Sequence, residues 1–199
     1  DGCVSRHVYK NINCANLQIF ARIRPILSQT ILSFLIRIFT AILYVMAVIK
    51  EGAKAPAFKG VDQHGKTVSI ADFKGQKLVL YFYPKDDTPG CTAQACNLRD
   101  NYKKLIKKGI AILGVSVDSV ASHVKFIEKY ELPFSLIADE DKKIVDKYNL
   151  WGQKKFMGKT YMGTTRTTFL IDEAGMVQHI IEKPDTKAHT EEILEISGW

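Results

Sequence analysis

"YFYPKDDTPGCTAQACNLRD", residues 81–100, sets two thiols, Cys91 and Cys96, five residues apart behind an apolar and aromatic run. That run, "KLVLYFY" (77–83), is continuous and β-prone, the pattern of a strand buried on both faces. Two prolines, Pro84 and Pro89, bracket the charged loop that follows. Thr88 precedes a proline and is biased away from helical geometry, whereas Pro89 suits a first helical position. Thr88 is then an N-cap and Cys91 the third helical residue, in a first turn whose unpaired N–H groups and dipole face outward. Such a position favours a thiolate, which is nucleophilic at neutral pH.

A helix is predicted over 91–109, "CTAQACNLRDNYKKLIKKG", with Ala95, Leu98, Tyr102, Leu105 and Ile106 on one face and Gly109 as its stop. Further along, "IAILGVSV" (110–117) reads as a second buried strand. "SVASHVKFIEKY" (119–130) reads as a helix capped by Ser119, and "FSLIA" (134–138) as a short strand. Asp139 can cap a helix running to about Tyr148. "TTFLID" (167–172) and "MVQHII" (176–181) read as a hairpin about "EAG", and "TKAHTEEILEIS" (186–197) as a closing helix. Strands alternating with helices and ending in a hairpin imply an α/β fold: a central mixed sheet, helices on both faces, and an antiparallel edge.

The 199 residues are enough for one domain with a real core, and 46% apolar with 25% charged is an ordinary globular composition. Four cysteines are too few to suggest a disulfide framework. The formal charge of +7 is uneven. Residues 1–45 carry five basic residues and one acid, and residues 46–199 carry 23 and 20. No basic stripe is interleaved with aromatics, which argues against a nucleic-acid partner.

Residues 1–45 form an acid-poor extension to a domain spanning 46–199. From Ile26 to Ile49 the only charge is Arg37, and the stretch is long enough to cross a bilayer. It reads as a membrane anchor, as a targeting segment, or as sequence outside a mature protein that starts at Met46. Membrane contact is expected only in the first case. Cys3 and Cys14 in this extension read as incidental thiols.

An isolated cysteine at position 91 would read as a small buried hydrophobe. The proline and glycine control, the helical N-terminus and the second thiol count against that here. A metal site is the other alternative, but C-x4-C lacks the usual ligand spacing and no second Cys or His pair lies near in sequence. Nor is it the C-x-x-C of dithiol oxidoreductases.

"PKDDTPGCT" with C-x4-C resembles the active-site loop of the bacterioferritin comigratory protein (peroxiredoxin Q) group of peroxiredoxins. Pro84, Thr88 and Cys91 match the general Pro-x3-Thr-x2-Cys pattern of that family. "YNLWGQKKFMGKTYMGTTRTTFLID" (148–172) resembles the same group, including Arg166 ahead of its strand. The resemblance covers about residues 48–199. It implies a thioredoxin-like fold and a thiol-dependent peroxidase acting on hydrogen peroxide and organic hydroperoxides. By the same resemblance Cys91 is the peroxidatic cysteine and Cys96 the resolving one, pairing with it in an intramolecular disulfide that thioredoxin or a similar dithiol protein reduces. No metal, haem or flavin cofactor is implied; a cytoplasmic monomer is expected.

Under this resemblance Arg166 stabilises the Cys91 thiolate and binds peroxide oxygens, the Thr88 hydroxyl hydrogen-bonds the sulfur or peroxide, and Pro84 shields the thiolate. Read without it, Arg166 is a strand-flanking surface charge, Pro84 a strand terminator and Thr88 a cap. Trp151 reads as packing, and Asp86 and Asp87 as solvated loop charges. His64, His123, His179 and His189 have no triad-like context and read as exposed. A redox-sensing binding protein using the same thiol switch is the rival function.

Overall fold

A computed structural model of the chain describes residues 49–156 and 158–199. The expectations for the N-terminal extension, with Cys3, Cys14 and Met46, lie outside these residues. Among the described residues no helix is long and apolar enough to cross a membrane.

The predicted run 77–83 forms the central strand. Strand β3 (Lys77–Phe82) lies in a seven-stranded sheet between β4 (Ile110–Ser116), which is parallel to it, and β8 (Thr167–Ile171), which is antiparallel. The full order is β2-β1-β5-β4-β3-β8-β9, with β1 at Lys59–Asp62, β2 at Thr67–Ser69, β5 at Ser135–Ala138 and β9 at Val177–Glu182. Side chains of β3 alternate between two cores, as a period of two requires. Leu78, Leu80 and Phe82 pack with Tyr148, Phe169 and Val177 on one face. Val79, Tyr81 and the adjacent Tyr83 pack with Cys91, Leu98, Phe126 and Ile193 on the other. Burying each such side chain contributes about 1.5–3 kcal/mol, which is why an uninterrupted apolar run is tolerated in a strand covered on both faces.

The helices are α1 (Pro89–Asp100), α2 (Tyr102–Lys107), α3 (Val120–Tyr130), α4 (Lys143–Lys147) and α5 (His189–Ser197). Residues of α1, α2, α3 and α5 join the Tyr81 face, and residues of α4 the other. Ser119 caps α3 through a bond from Ser122 N (3.3 Å). The β8–β9 hairpin turns through Gly175, whose φ of +82° favours glycine.

Four expectations are corrected. The helix over 91–109 is two helices. It breaks at Asn101, whose side chain donates to the Asn97 carbonyl and competes with the helical ladder. After that break Ile106 points to solvent, 45% exposed, instead of sharing the buried face. The helix after Asp139 starts only at Lys143, because Lys142 sits at φ +61°. Asp139 reaches forward to accept from the Ile144 and Val145 N–H groups. The closing helix begins at His189. The sheet is also antiparallel at both edges: β1 and β2 extend it beyond β5, and a separate ribbon, β6 (Trp151–Phe156) with β7 (Lys159–Thr164), precedes β8.

The register that positions the site is Phe82 opposite Thr167 and Tyr81 opposite Thr168. It sets Arg166, just ahead of β8, beside the C-terminal end of β3, where the Pro84 loop begins. Gly114 on β4 clears the space: a Cβ there would lie 2.8 Å from the Tyr81 ring and hydroxyl and 2.5 Å from Leu136 Cδ2. Tyr81 therefore lies under the loop with its ring stacked on Tyr83, centroids 5.4 Å apart.

Candidate active site

Thr88 is the N-cap of α1, extended at φ −99° and ψ 149°, with Pro89 following, as its sequence predicts. The first intrahelical bond runs from Thr92 N to Thr88 O at 2.8 Å. The N–H groups of Gly90 and Cys91 lie ahead of it, in the positive end of the helix. Cys91 is 2% exposed, so its sulfur is shielded from bulk water. The Arg166 guanidinium reaches it: Nη2 donates to Sγ at 3.1 Å. Arg166 is thus a half-buried partner of the sulfur and not a surface charge. In a site of low dielectric, this charge-assisted contact and the helix N-terminus both favour negative charge on sulfur.

The second guanidinium nitrogen, Nη1, donates to Gln94 Oε1. Gln94 sits one turn after Cys91 on the same helix face and is fully buried. Its Nε2 lies 3.0 Å from His189 Nδ1, and His189 Nε2 lies 3.1 Å from Thr168 Oγ1. Lys154, on β6, brings a second cation. It donates to the Thr164 carbonyl, and burial, then repulsion from Arg166, lower its pKa against an attraction from Cys91.

The loop is held from below by a second network. Asp86 is buried, not solvated. Its carboxylate accepts from Tyr83 Oη (2.7 Å) and Ser122 Oγ (2.7 Å) and faces His123 Nδ1 at 2.8 Å. Its own N–H donates to Asp118 (2.9 Å). His123 and His189 are both fully buried, against the expectation of exposure. Only Asp87 is exposed, at φ +52°, where it pairs with Lys129 and Tyr130. Burial raises the Tyr81 and Tyr83 phenols well above their ordinary value, with Asp86 among the further causes for both, so both stay neutral.

Thr88 differs from its expected contact: its hydroxyl donates to the Lys85 carbonyl at 3.1 Å, neither to the sulfur nor as a side-chain cap. Pro84 is half-buried and follows the end of β3. Cys96 is partly buried on α1, and both cysteines are free thiols. Trp151 packs against the first core with Lys142 5.3 Å over its ring. Among the described residues no three His, Cys, Asp or Glu side chains cluster as metal ligands.

Residues 52–180 match the AhpC/TSA family. The chain belongs to that family. It is 45% identical over 149 residues to peroxiredoxin Bcp of Escherichia coli (strain K12), covering 75% of this chain and 96% of that one. It is also 45% identical over 147 residues to peroxiredoxin Bcp of Bacillus subtilis (strain 168), covering 74% and 94%. Among solved structures it superposes on the bacterioferritin comigratory protein of Xanthomonas campestris, studied for its alkyl peroxide reduction activity. That match has a TM-score of 0.66 at 32% identity, over 71% of this chain and 90% of that one. The fold is therefore thioredoxin-like, and this peroxiredoxin is a thiol-dependent peroxidase.

Gln94 could have been found in the sequence by its helical spacing from Cys91. The pairs Gln94–His189 and Asp86–His123 carry no local signal.

Burial, followed by the nearby Arg166, pushes His189 down to about 3 from 6.5. The folded peroxiredoxin keeps this imidazole neutral, whereas the unfolded chain takes up a proton below about pH 6.5. The stability held by neutral His189 is complete above that pH and is lost as the pH falls toward 3. The loss approaches 1.4 kcal/mol per unit at most, about one proton's worth. Urea midpoints measured between pH 6.5 and 5 should fall with acid more steeply in the wild type than in His189→Asn, which has nothing to protonate there.

Proposed function

We propose that Cys91 is the peroxidatic cysteine and Cys96 the resolving one, in a cycle that reduces hydrogen peroxide and organic hydroperoxides at the expense of thioredoxin or a similar dithiol protein. The observation that carries this reading is the Arg166 guanidinium on the Cys91 sulfur at the first turn of α1. The thiolate attacks one peroxide oxygen and the O–O bond breaks. The electron pair leaves with the other oxygen, which takes a proton and departs as water or an alcohol. Arg166 and the free N–H groups of the first turn face the charge that develops on the peroxide oxygens. The Thr88 hydroxyl, already donating to Lys85, keeps a lone pair for the proton of the incoming hydroperoxide. Pro84 walls the loop above the sulfur. Cys96 then condenses with the sulfenic acid, releasing water and forming the disulfide. Two thiols of the reductant restore both cysteines by exchange.

An intramolecular pair makes a monomer sufficient. A cytoplasmic setting, where dithiol reductants are maintained, suits the cycle; an anchor or targeting role for residues 1–45 would place it at a membrane or in an organelle. The redox-sensing alternative is not favoured by the peroxiredoxin relatives.

Resolution demands a change of shape. Cys91 and Cys96 lie on one helix, where five residues give about 7.5 Å of rise and a turn of about 140°, a Cα separation of roughly 8–9 Å against a bridging limit of about 7 Å. The first turns of α1 must open. "TAQA" between the thiols looks free of anchors in the sequence, but Gln94 is fully buried and bonded to both Arg166 and His189, so opening breaks these contacts too.

With thioredoxin, thioredoxin reductase and peroxide, the wild type should consume NADPH continuously and Cys91→Ser should not. Arg166→Lys, which loses the planar fork, should be slower by about a hundredfold, while Cys3→Ser and Cys14→Ser turn over normally. A Cys91→Ser protein as fast as wild type would sink the assignment. Hydrogen exchange should show amides 92–97 protected in the reduced protein, where they make intrahelical bonds, and open in the disulfide form. Equal protection in both redox states would remove Cys96 as the resolving thiol.

A further inference from the structure

The Arg166 guanidinium has two side-chain partners, the Cys91 sulfur and Gln94 Oε1. The second contact depends on which way the Gln94 carboxamide faces. Its two ends are almost the same size, and only the oxygen can accept from a guanidinium, which has donors alone. Turned over, the amide would present its own N–H groups to Arg166 and leave the guanidinium without its second anchor.

His189 faces the other end of the amide. Its ring is fully buried and neutral, so it carries one N–H and one lone pair. Nδ1 faces Gln94 Nε2 at 3.0 Å, and Nε2 faces Thr168 Oγ1 at 3.1 Å. With the proton on Nε2, the ring donates to Thr168 and accepts the Gln94 amide N–H at Nδ1. Gln94 Oε1 is then left for Arg166. The other tautomer would demand the flipped amide and set donor against donor at Arg166. Gln94, Thr168 and His189 have no exposed surface, so water does not compete for these bonds.

Both ends of the relay are fixed. Thr168 lies on β8 opposite Tyr81 of the central strand. The start of α5 is tied to α1 by Asn97, whose Oδ1 accepts from Thr190 N and whose Nδ2 donates to the Lys187 carbonyl, each at 2.8 Å.

We propose that His189 is a positioning residue: through Gln94 it holds the Arg166 guanidinium on the Cys91 sulfur. The proposal rests on the reading of Cys91 as the sulfur that peroxide oxidises. The peroxide touches neither His189 nor Gln94. Their contribution is to keep Arg166 aimed before the peroxide arrives, so the guanidinium need not reorganise during the reaction.

Asparagine places an oxygen on Cγ, where histidine carries Nδ1, and can accept from Gln94. Glutamine reaches toward Thr168 and leaves the Gln94 N–H group without its acceptor. The test measures the second-order rate of Cys91 oxidation by hydrogen peroxide, in full-length protein carrying Cys96→Ser. Trapping the sulfenic acid with dimedone then reads the first step alone. His189→Gln should slow it about tenfold, and His189→Asn should stay within about threefold of the parent. In a Gln94→Leu background neither substitution should add to the loss, because the intermediary is gone. Equal rates for His189→Asn and His189→Gln overturn the proposal, even where their melting temperatures differ. Additive losses in the Gln94→Leu background overturn it as well. A Cys96→Ser parent that takes up no dimedone overturns the peroxidatic reading beneath it, whereas a reactive parent with indifferent variants overturns the role of His189 alone.

Discussion

The contact between Arg166 and the Cys91 sulfur is the constraint on which the rest of this peroxiredoxin depends. A buried thiolate is costly unless a charge and oriented donors face it. Cys91 is almost fully buried, so those groups must come from the protein and must be in place before the peroxide. Two distant parts of the chain supply them. The Pro84 loop and α1 bring the sulfur to the first turn of a helix, and the start of β8 brings the guanidinium. The antiparallel pairing of β3 with β8 makes the two meet, because Phe82 opposite Thr167 sets Arg166 at the end of the strand that leads into the loop.

Under the proposed cycle, the groups around that contact are bonded in the reduced protein and must yield for the disulfide to form. The Asp86 network fixes the loop on α3, and Gln94 and Asn97 fix α1 on α5. Gln94 and Asn97 lie on either side of Cys96. Gln94, which anchors Arg166, is therefore also one of the groups that hold α1 shut. In the proposed cycle, ordering Arg166 and opening the helix for resolution both draw on the Gln94 bonds, so strengthening them would aid the first step and oppose the second.

Much of the fold was legible because it rests on burial. The run "KLVLYFY" announced a central strand, Thr88-Pro89 announced a helix start with Cys91 in its first turn, and Ser119 announced another. The ribbon of β6 and β7 was not visible. "KTYMGT" is exposed over its first four residues, and hydrophobic periodicity is silent where little apolar surface is covered. The site divided in the same way. Cys91 and its helical position follow from local backbone rules, and Arg166 from a matched motif. Asp86 looked like a solvated charge because its partners Ser122 and His123, 36 and 37 residues away, are brought to it only by tertiary packing. His189 is 95 residues from Gln94, and a histidine at a helix start carries no sign of a buried amide waiting for it.

The most direct measurement is peptide mapping by mass spectrometry after the reduced, full-length protein meets one equivalent of hydrogen peroxide with no reductant present. The account predicts a single new species, in which the peptide bearing Cys91 and Cys96 has lost two hydrogens to an internal disulfide while Cys3 and Cys14 remain free thiols. A Cys91 left reduced, or paired with any cysteine other than Cys96, would contradict it.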